Sequence, residues 1–467
     1  MVFSSVLFLS MFLPAVLFFY FLAGLHLRNY VLLAASLLFY AWGEPKAVWL
    51  MIGLIIASYY IARQIEKEND KHSVYWLSFG IILNLCALCY YKYWVFFLEN
   101  INMLLNGIHQ QTLNVPNIAL PIGISFYTFQ IISYLIDVYR GEVKAQKNIF
   151  TLATYVSLFP QLVAGPIVRY KTIAEDLLNR KTDFDNIFRG LRRFVIGLAK
   201  KVLIADQMAV IADKVFDTPV EQLPCFVAWV GALAYTLQIF YDFSGYSDMA
   251  IGLGRIFCFR FLENFEYPYS AKSVQEFWRR WHISLSSWFK DYLYIPLGGN
   301  RKGKIRTILN SYIVFALCGL WHGATWNFVF WGLYHGSGLM IERLGVKKIL
   351  DKIPAFFANL YVWLFVIVGW VLFRAADLPH AGRFLRVMFT GNKGIELKDC
   401  YWLPEMLTYS NLWALLAGIF FSYPFPQIRY ERIRYSTAET YILLAVFITS
   451  YVFAMTSTFS PFIYFRF

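Results

Sequence analysis

Residues Val6–Leu22 read VLFLSMFLPAVLFFYFL, seventeen consecutive positions without a charged side chain. A surface helix of a soluble domain would show a polar face within that length, and a barrel strand would alternate apolar with polar; this run does neither. With a few flanking residues it reaches the ~20 that span a bilayer. Comparable stretches recur at Tyr30–Trp42, Val48–Ile61, Ile313–Trp321, Leu360–Phe373 and Tyr441–Phe453. Lipid offers no partner to open backbone groups, so spanning elements of this kind are helices. The expected fold class is all-α: a polytopic integral membrane protein with roughly 10–12 membrane segments, some re-entrant or interfacial.

Composition agrees. Of 467 residues, 59% are hydrophobic and 15% charged, against about a quarter charged in soluble domains. Lys and Arg exceed Asp and Glu by 13, which in a multi-pass protein reports topology through the positive-inside rule rather than nucleic-acid binding. The run at Val6 lacks a basic flank and a small-residue cleavage site, so it reads as a retained segment. Six scattered cysteines, with Cys86 and Cys89 inside an apolar run, suggest neither a metal site nor a disulfide framework.

Placing the N-terminus outside puts Arg28 inside, Glu44-Pro45-Lys46 outside, Arg63–Lys71 inside and the base-free linker Glu99–Pro116 outside, with Arg140–Lys144 cytoplasmic. The basic block Arg169–Lys201 would then be exported if Phe150–Val168 spanned the bilayer. Pro160, Gly165 and Pro166 interrupt that segment, so a re-entrant element is expected, buried in protein where broken backbone is tolerated. No repeat or soluble domain is visible. The chain reads as one membrane domain over 1–467: N-terminal helices 1–140, a core 141–345 carrying the histidine motifs, and C-terminal helices 346–467.

Chemistry must come from residues within or at the edges of helices. His322 stands in an apolar run, Phe315–Trp326, and an intramembrane ionisable group is by default a functional candidate; neutral imidazole suits general-base work. His335, thirteen residues on, reads as structural. Gln275–Lys290 carries two faces at helical spacing: Val274, Trp278, Trp281, Leu285 and Trp288 apolar, and Gln275, Arg279, His282, Ser286 and Lys290 polar. That pattern predicts one interfacial helix, either a membrane anchor or a binder of a phosphorylated donor with His282 reaching into the site. Arg279, Arg280 and the glycine-rich turn holding Arg301 and Lys302 are the candidate donor-binding cations. Asp242, Ser244 and Tyr246 place polar groups in an apolar region and, with Trp321, are candidate pocket lining. Asp242 and Asp248 lie about 120° apart around a helix, which argues against a proton-sharing carboxylate pair.

These residues carry a resemblance. Leu120–Tyr127, Ala164-Gly165-Pro166, Asp242–Ala250, Glu276–His282, Gly319–Gly323 and Phe373-Arg374-Ala375 together resemble the membrane-bound O-acyltransferases, specifically the bacterial branch that acetylates alginate or peptidoglycan. The resemblance implies a catalytic role for His322, with His282 as the second histidine, and a funnel joining a cytoplasmic donor to the outer face of the bacterial inner membrane. It implies acetyl-CoA as donor substrate with no bound cofactor, a polysaccharide acceptor, and a separate extracytoplasmic esterase-like partner; this chain has no Gly-x-Ser-x-Gly nucleophile motif of its own. The end of the sequence, Ser460–Phe467, resembles a Phe-x-Tyr-x-x-Phe acyl-relay tail, which marks Tyr464 as a candidate carrier; an interfacial aromatic anchor is the alternative. Peptidoglycan acetylation and D-alanyl transfer compete with alginate acetylation, and a polysaccharide transporter is the rival of another class, though no two-half symmetry supports it.

Overall fold

The computed structural model describes residues 2–67, 70–163, 165–424, 436–456 and 462–463. Every regular element among them is helical. Among the described residues, five helices are long and apolar enough to cross a membrane: Ala47–Lys67, His72–Gly107, Cys225–Ile256, Ala355–Arg374 and Thr437–Thr456, with Phe8–Leu22 and Tyr409–Phe421 as shorter apolar helices. The other apolar stretches fall in helices such as Arg28–Gly43 and Lys304–His322, or in broken elements. The linker expected at Glu99–Pro116 begins later than its composition implies, because helix Trp94–Gly107 covers its first half.

The chain divides into two compact units, Met1–Leu191 with Ala250–Leu262, and Arg192–Met249 with Glu263–Phe467. In the first, Phe8, Phe12, Phe39 and Phe159 form an aromatic core with Phe12 and Phe159 edge to face at 5.5 Å. The Phe150–Val168 segment is broken as its prolines require: helix Ile149–Ser157 stops at Leu158 and a four-residue turn, Phe159–Leu162, follows. Its freed backbone is satisfied by side chains. Ser36 Oγ accepts from Phe159 N at 3.0 Å, Gln161 Nε2 donates to Tyr155 O at 2.5 Å and Tyr155 Oη to Val168 O at 3.0 Å. Broken backbone thus lies in protein rather than in lipid.

In the second unit two glycine contacts set the geometry. Helices Lys304–His322 and Trp326–Ile341 form a hairpin so close that a Cβ on Gly319 would lie 2.0 Å from Phe328 O, and one on Gly332 2.1 Å from Phe315 O. Small residues permit such backbone approach, and it brings His322, three positions beyond Gly319, against Trp331 at 5.1 Å. Gly197 and Gly245 make a similar crossing, with Gly245 O 2.6 Å from where a Gly197 Cβ would stand. That contact carries Lys201 to Asp242.

Candidate active site

The predicted interfacial helix is two helices. Ser273 caps Val274–Arg280, its side chain accepting from Glu276 N at 3.1 Å; Trp281 is extended, His282 is left-handed (φ 43°, ψ 54°), and Ile283–Phe289 follows. The break is pinned by a crossing strand of chain, Glu266 N donating to Arg280 O and Ile283 N to Asn264 O, both at 2.9 Å. The apolar stripe holds, since Val274, Trp278, Trp281, Leu285 and Trp288 are all buried. His282 does not stay on a solvated polar face: the reversal at 281–282 turns it inward, 0% exposed. A non-glycine residue in this conformation costs about 1–3 kcal/mol and persists only where its surroundings dictate it.

Those surroundings fix the tautomer. Asn264 Oδ1 accepts from the Ser284 backbone N–H at 3.2 Å and from Ser284 Oγ at 2.8 Å, while Asn264 Nδ2 donates to Ser247 Oγ at 3.0 Å. A backbone N–H can only donate, so the amide orientation is determined. His282 Nδ1, 3.1 Å from the same Oδ1, is therefore the donor, and its lone pair is on Nε2. His282 lies outside the five long apolar helices, and burial pushes its imidazole down to about 3, which keeps it neutral at pH 7.

His322 ends helix Lys304–His322, buried between Trp331 at 5.1 Å and Phe373 at 5.4 Å. The two imidazole centroids are 6.5 Å apart, and Trp321 touches both rings. Phe243 closes the other side of His282 at 4.6 Å. Phe373 is held in place by its neighbours, Arg374 bonding Asp213 at 2.9 Å and Asn327 Nδ2 donating to Ala375 O at 2.7 Å.

The acids serve cations rather than each other. Asp242 pairs with Lys201 at 2.8 Å, and Lys201 also meets Asp206 at 2.7 Å. Burial opposes the Lys201 charge, but Asp242 and then Asp206 outweigh it and raise the ammonium above its ordinary value. Asp248 instead takes Arg193 at 2.8 Å and Lys200 at 2.7 Å. Arg192, Arg193 and Lys201, read from the sequence as topology signals, are thus buried in internal ion pairs. The other oxygen of Asp242 accepts from Ile463 N at 2.7 Å, and Phe462 packs on Tyr246 at 4.8 Å and near Phe243 at 6.0 Å. Tyr464 itself lies outside the described residues.

Of the sequence candidates, His282, His322, Trp321, Asp242 and Tyr246 therefore belong to one connected cluster. Ser244 is buried on the same helix. The cations are placed differently: Arg280 bonds Glu276 at 2.7 Å and Ser270 at 3.2 Å, and Arg279 is exposed. Arg301 and Lys302 are exposed in a turn whose Gly298, Gly299 and Gly303 all have positive φ. This turn precedes the N-terminus of the 19-residue helix that His322 ends, so at 1.5 Å per residue some ~27 Å separates it from the histidine. A donor gripped there would need a long arm to reach His322. Asn264, Ser284 and Trp331 were not singled out as site residues by the sequence, and Phe243, Phe373 and Lys201 entered it only within the resemblance motifs or the basic block; what brings Asn264, Phe373 and Lys201 to the site is contact remote in the chain.

Residues 142–376 match the model of the membrane-bound O-acyltransferase family. The chain is 44% identical to a probable alginate O-acetylase of Pseudomonas aeruginosa, over 90% of this chain and 79% of that protein. It is 38% identical to a peptidoglycan O-acetyltransferase of Helicobacter pylori, over 88% and 83%. A teichoic acid D-alanyltransferase of Bacillus subtilis is 26% identical over 70% and 83%.

Proposed function

Because the chain belongs to the membrane-bound O-acyltransferase family and is a multi-pass membrane O-acyltransferase, we propose that it moves acetyl groups from a cytoplasmic donor across the bacterial inner membrane for O-acetylation of an extracytoplasmic polysaccharide. The observation that carries this reading is the pairing of His282 and His322 across 6.5 Å of buried aromatic surface, with segment 462–463 seated beside it. Acetyl-CoA is the proposed donor. A hydroxyl oxygen attacks the thioester carbonyl, His322 accepts the hydroxyl proton, the carbon–sulfur bond breaks, and the departing thiolate recovers that proton.

The proposed hydroxyl is that of Tyr464, next in sequence to the anchored Ile463. A phenol, with a pKa of about 10, leaves more readily than an aliphatic alcohol, so an acetyl-phenol ester can pass its acetyl group to an esterase-like partner outside. Alginate is the favoured acceptor type because identity to the alginate O-acetylases exceeds that to the peptidoglycan enzyme and far exceeds that to the D-alanyltransferases. Tyr464→Phe tests the relay: with acetyl-labelled CoA, the native protein should take up label on the 462–467 peptide and the variant should not. Polymer acetylation at the native rate in Tyr464→Phe would show that transfer bypasses this phenol.

A further inference from the structure

The first unit holds two buried arginines that form no ion pair with a carboxylate among the described residues. Arg28, at the start of helix Arg28–Gly43, and Arg180, just after helix Tyr170–Leu178, are each 8% exposed. Both guanidiniums lie against one ring, that of Tyr20, at 4.9 and 5.9 Å from its centroid, and Arg180 also covers Phe259 at 4.5 Å. Their hydrogen-bond partners are neutral. Arg28 Nη1 donates to Thr182 Oγ1 at 2.8 Å and Arg180 Nη2 to Asn29 Oδ1, while Asn29 is tied to Leu177 O at 2.8 Å. Among the described residues no carboxylate comes within ion-pair distance of either, and Arg28 Nε and Arg180 Nη1 are buried without an acceptor.

Two like charges gathered on one phenol ring and shielded from water are unfavourable by themselves. An aromatic face returns only part of what desolvating a guanidinium costs, and the second cation adds repulsion. Burial foremost, with Arg28 adding to it, pushes Arg180 below its ordinary value. Such an arrangement is stable when an anion with several acceptor oxygens completes it, and guanidinium forks match phosphate geometry. A carboxylate offers two acceptor oxygens in one plane, whereas a phosphate group sets its oxygens around a tetrahedron and can face both forks. We propose that Arg28 and Arg180 bind a phosphate group, carried by an anionic lipid headgroup or by a soluble phosphate compound, with Thr182 and Asn29 holding the two forks in place. This site stands independently of the chemistry at the histidines.

The test uses the full chain, stripped of lipid in a maltoside detergent that contains no phosphate. Thermal unfolding is followed while phosphatidylglycerol, coenzyme A or inorganic phosphate is titrated. A saturable rise in Tm is expected with at least one. Stabilisation by phosphatidylglycerol alone assigns the site to a lipid headgroup; stabilisation by coenzyme A or inorganic phosphate assigns it to a soluble phosphate. In Arg28→Gln and Arg180→Gln the responsible titration should shift to at least about tenfold higher concentration, the loss of a charged hydrogen bond. An unchanged midpoint in both variants overturns the proposal. If neither variant stays monodisperse, the native protein decides through phosphatidylglycerol and inorganic phosphate: a saturable shift supports the site, and no shift with either removes it.

Discussion

His335 and His282 are both wholly buried within the second unit, both border tryptophan, and both bond through Nδ1, yet those bonds run in opposite directions. Trp278 Nε1 donates to His335 Nδ1 at 3.2 Å, which leaves the His335 proton on Nε2, and that edge packs on Gly369, 2.8 Å from where a Cβ would stand. His282 Nδ1 instead donates to Asn264 Oδ1, so its Nε2 carries a lone pair, in a ring whose neighbours include Trp321 and His322. A buried imidazole becomes chemically useful through the group behind it: an acceptor on Nδ1 frees a base at Nε2, and a donor on Nδ1 uses the base up.

The sharpest separation of the two neighbourhoods should come from His322. His322→Ala is expected to lower acetyl transfer by ~10²–10⁴-fold, the usual cost of losing a general base, with the protein still inserted and monodisperse. His335→Gln should change melting temperature while leaving the rate of the folded fraction near native. Comparable rate losses in the two variants, each normalised to folded protein, would erase the distinction.

The buried ion pairs of the same cluster give the next effect. Removing one member of a buried pair strands its partner and costs about 3–5 kcal/mol, so Lys201→Met should be strongly destabilising through Asp242 and Asp206. Asp242→Asn leaves Lys201 the Asp206 carboxylate and keeps an oxygen that can accept from Ile463 N. It should therefore unfold closer to native than Lys201→Met, and denaturation midpoints in the reverse order would refute this account of the network. Asn264→Leu comes third, leaving the His282 Nδ1–H and the Ser284 N–H short of their acceptor at about 1–3 kcal/mol. Asn264→Asp retains that acceptor and should recover transfer activity more fully than stability, since it puts a carboxylate charge in a buried place where the amide was neutral.

How much of this was legible follows from the range of the interactions. Apolar runs report helices because the bilayer acts on every residue locally, and Pro160 with Gly165 announced the break in Phe150–Val168 for the same reason. The break at Trp281–His282 left no such mark: apolar positions 274, 278, 281, 285 and 288 keep helical spacing straight across it. Its cause is Asn264 and Glu266, whose backbone meets 280–283 from outside the periodic stretch. Lys201 misled in another way. Charge counting groups it with loop cations, whereas the Gly197–Gly245 crossing buries it on Asp242. His322 was legible since an ionisable group in an apolar run is conspicuous; its wall of Trp331 and Phe373 depends on helix contacts that no local pattern encodes.

The smallest expected effect concerns acid. His282 is held below its unfolded value of ~6.5, to about 3 by burial. Between those pH values the unfolded chain takes up a proton that the folded chain refuses, so stability rises with pH across that window and is lost as pH falls below ~6.5. The slope from one such group is at most about 1.4 kcal/mol per pH unit, and it vanishes above neutrality. In His282→Gln the left-handed turn and the Asn264 contact are disturbed, so the absolute melting temperature will differ from native. The slope of melting temperature against pH between 6.5 and 5 is the readout that burial of a neutral ring controls, and it should be shallower in the variant. Parallel slopes for the native protein and His282→Gln would mean that His282 takes up its proton without unfolding. In that case the neutral, Asn264-oriented imidazole on which the contrast with His335 depends would not be the resting state in mild acid.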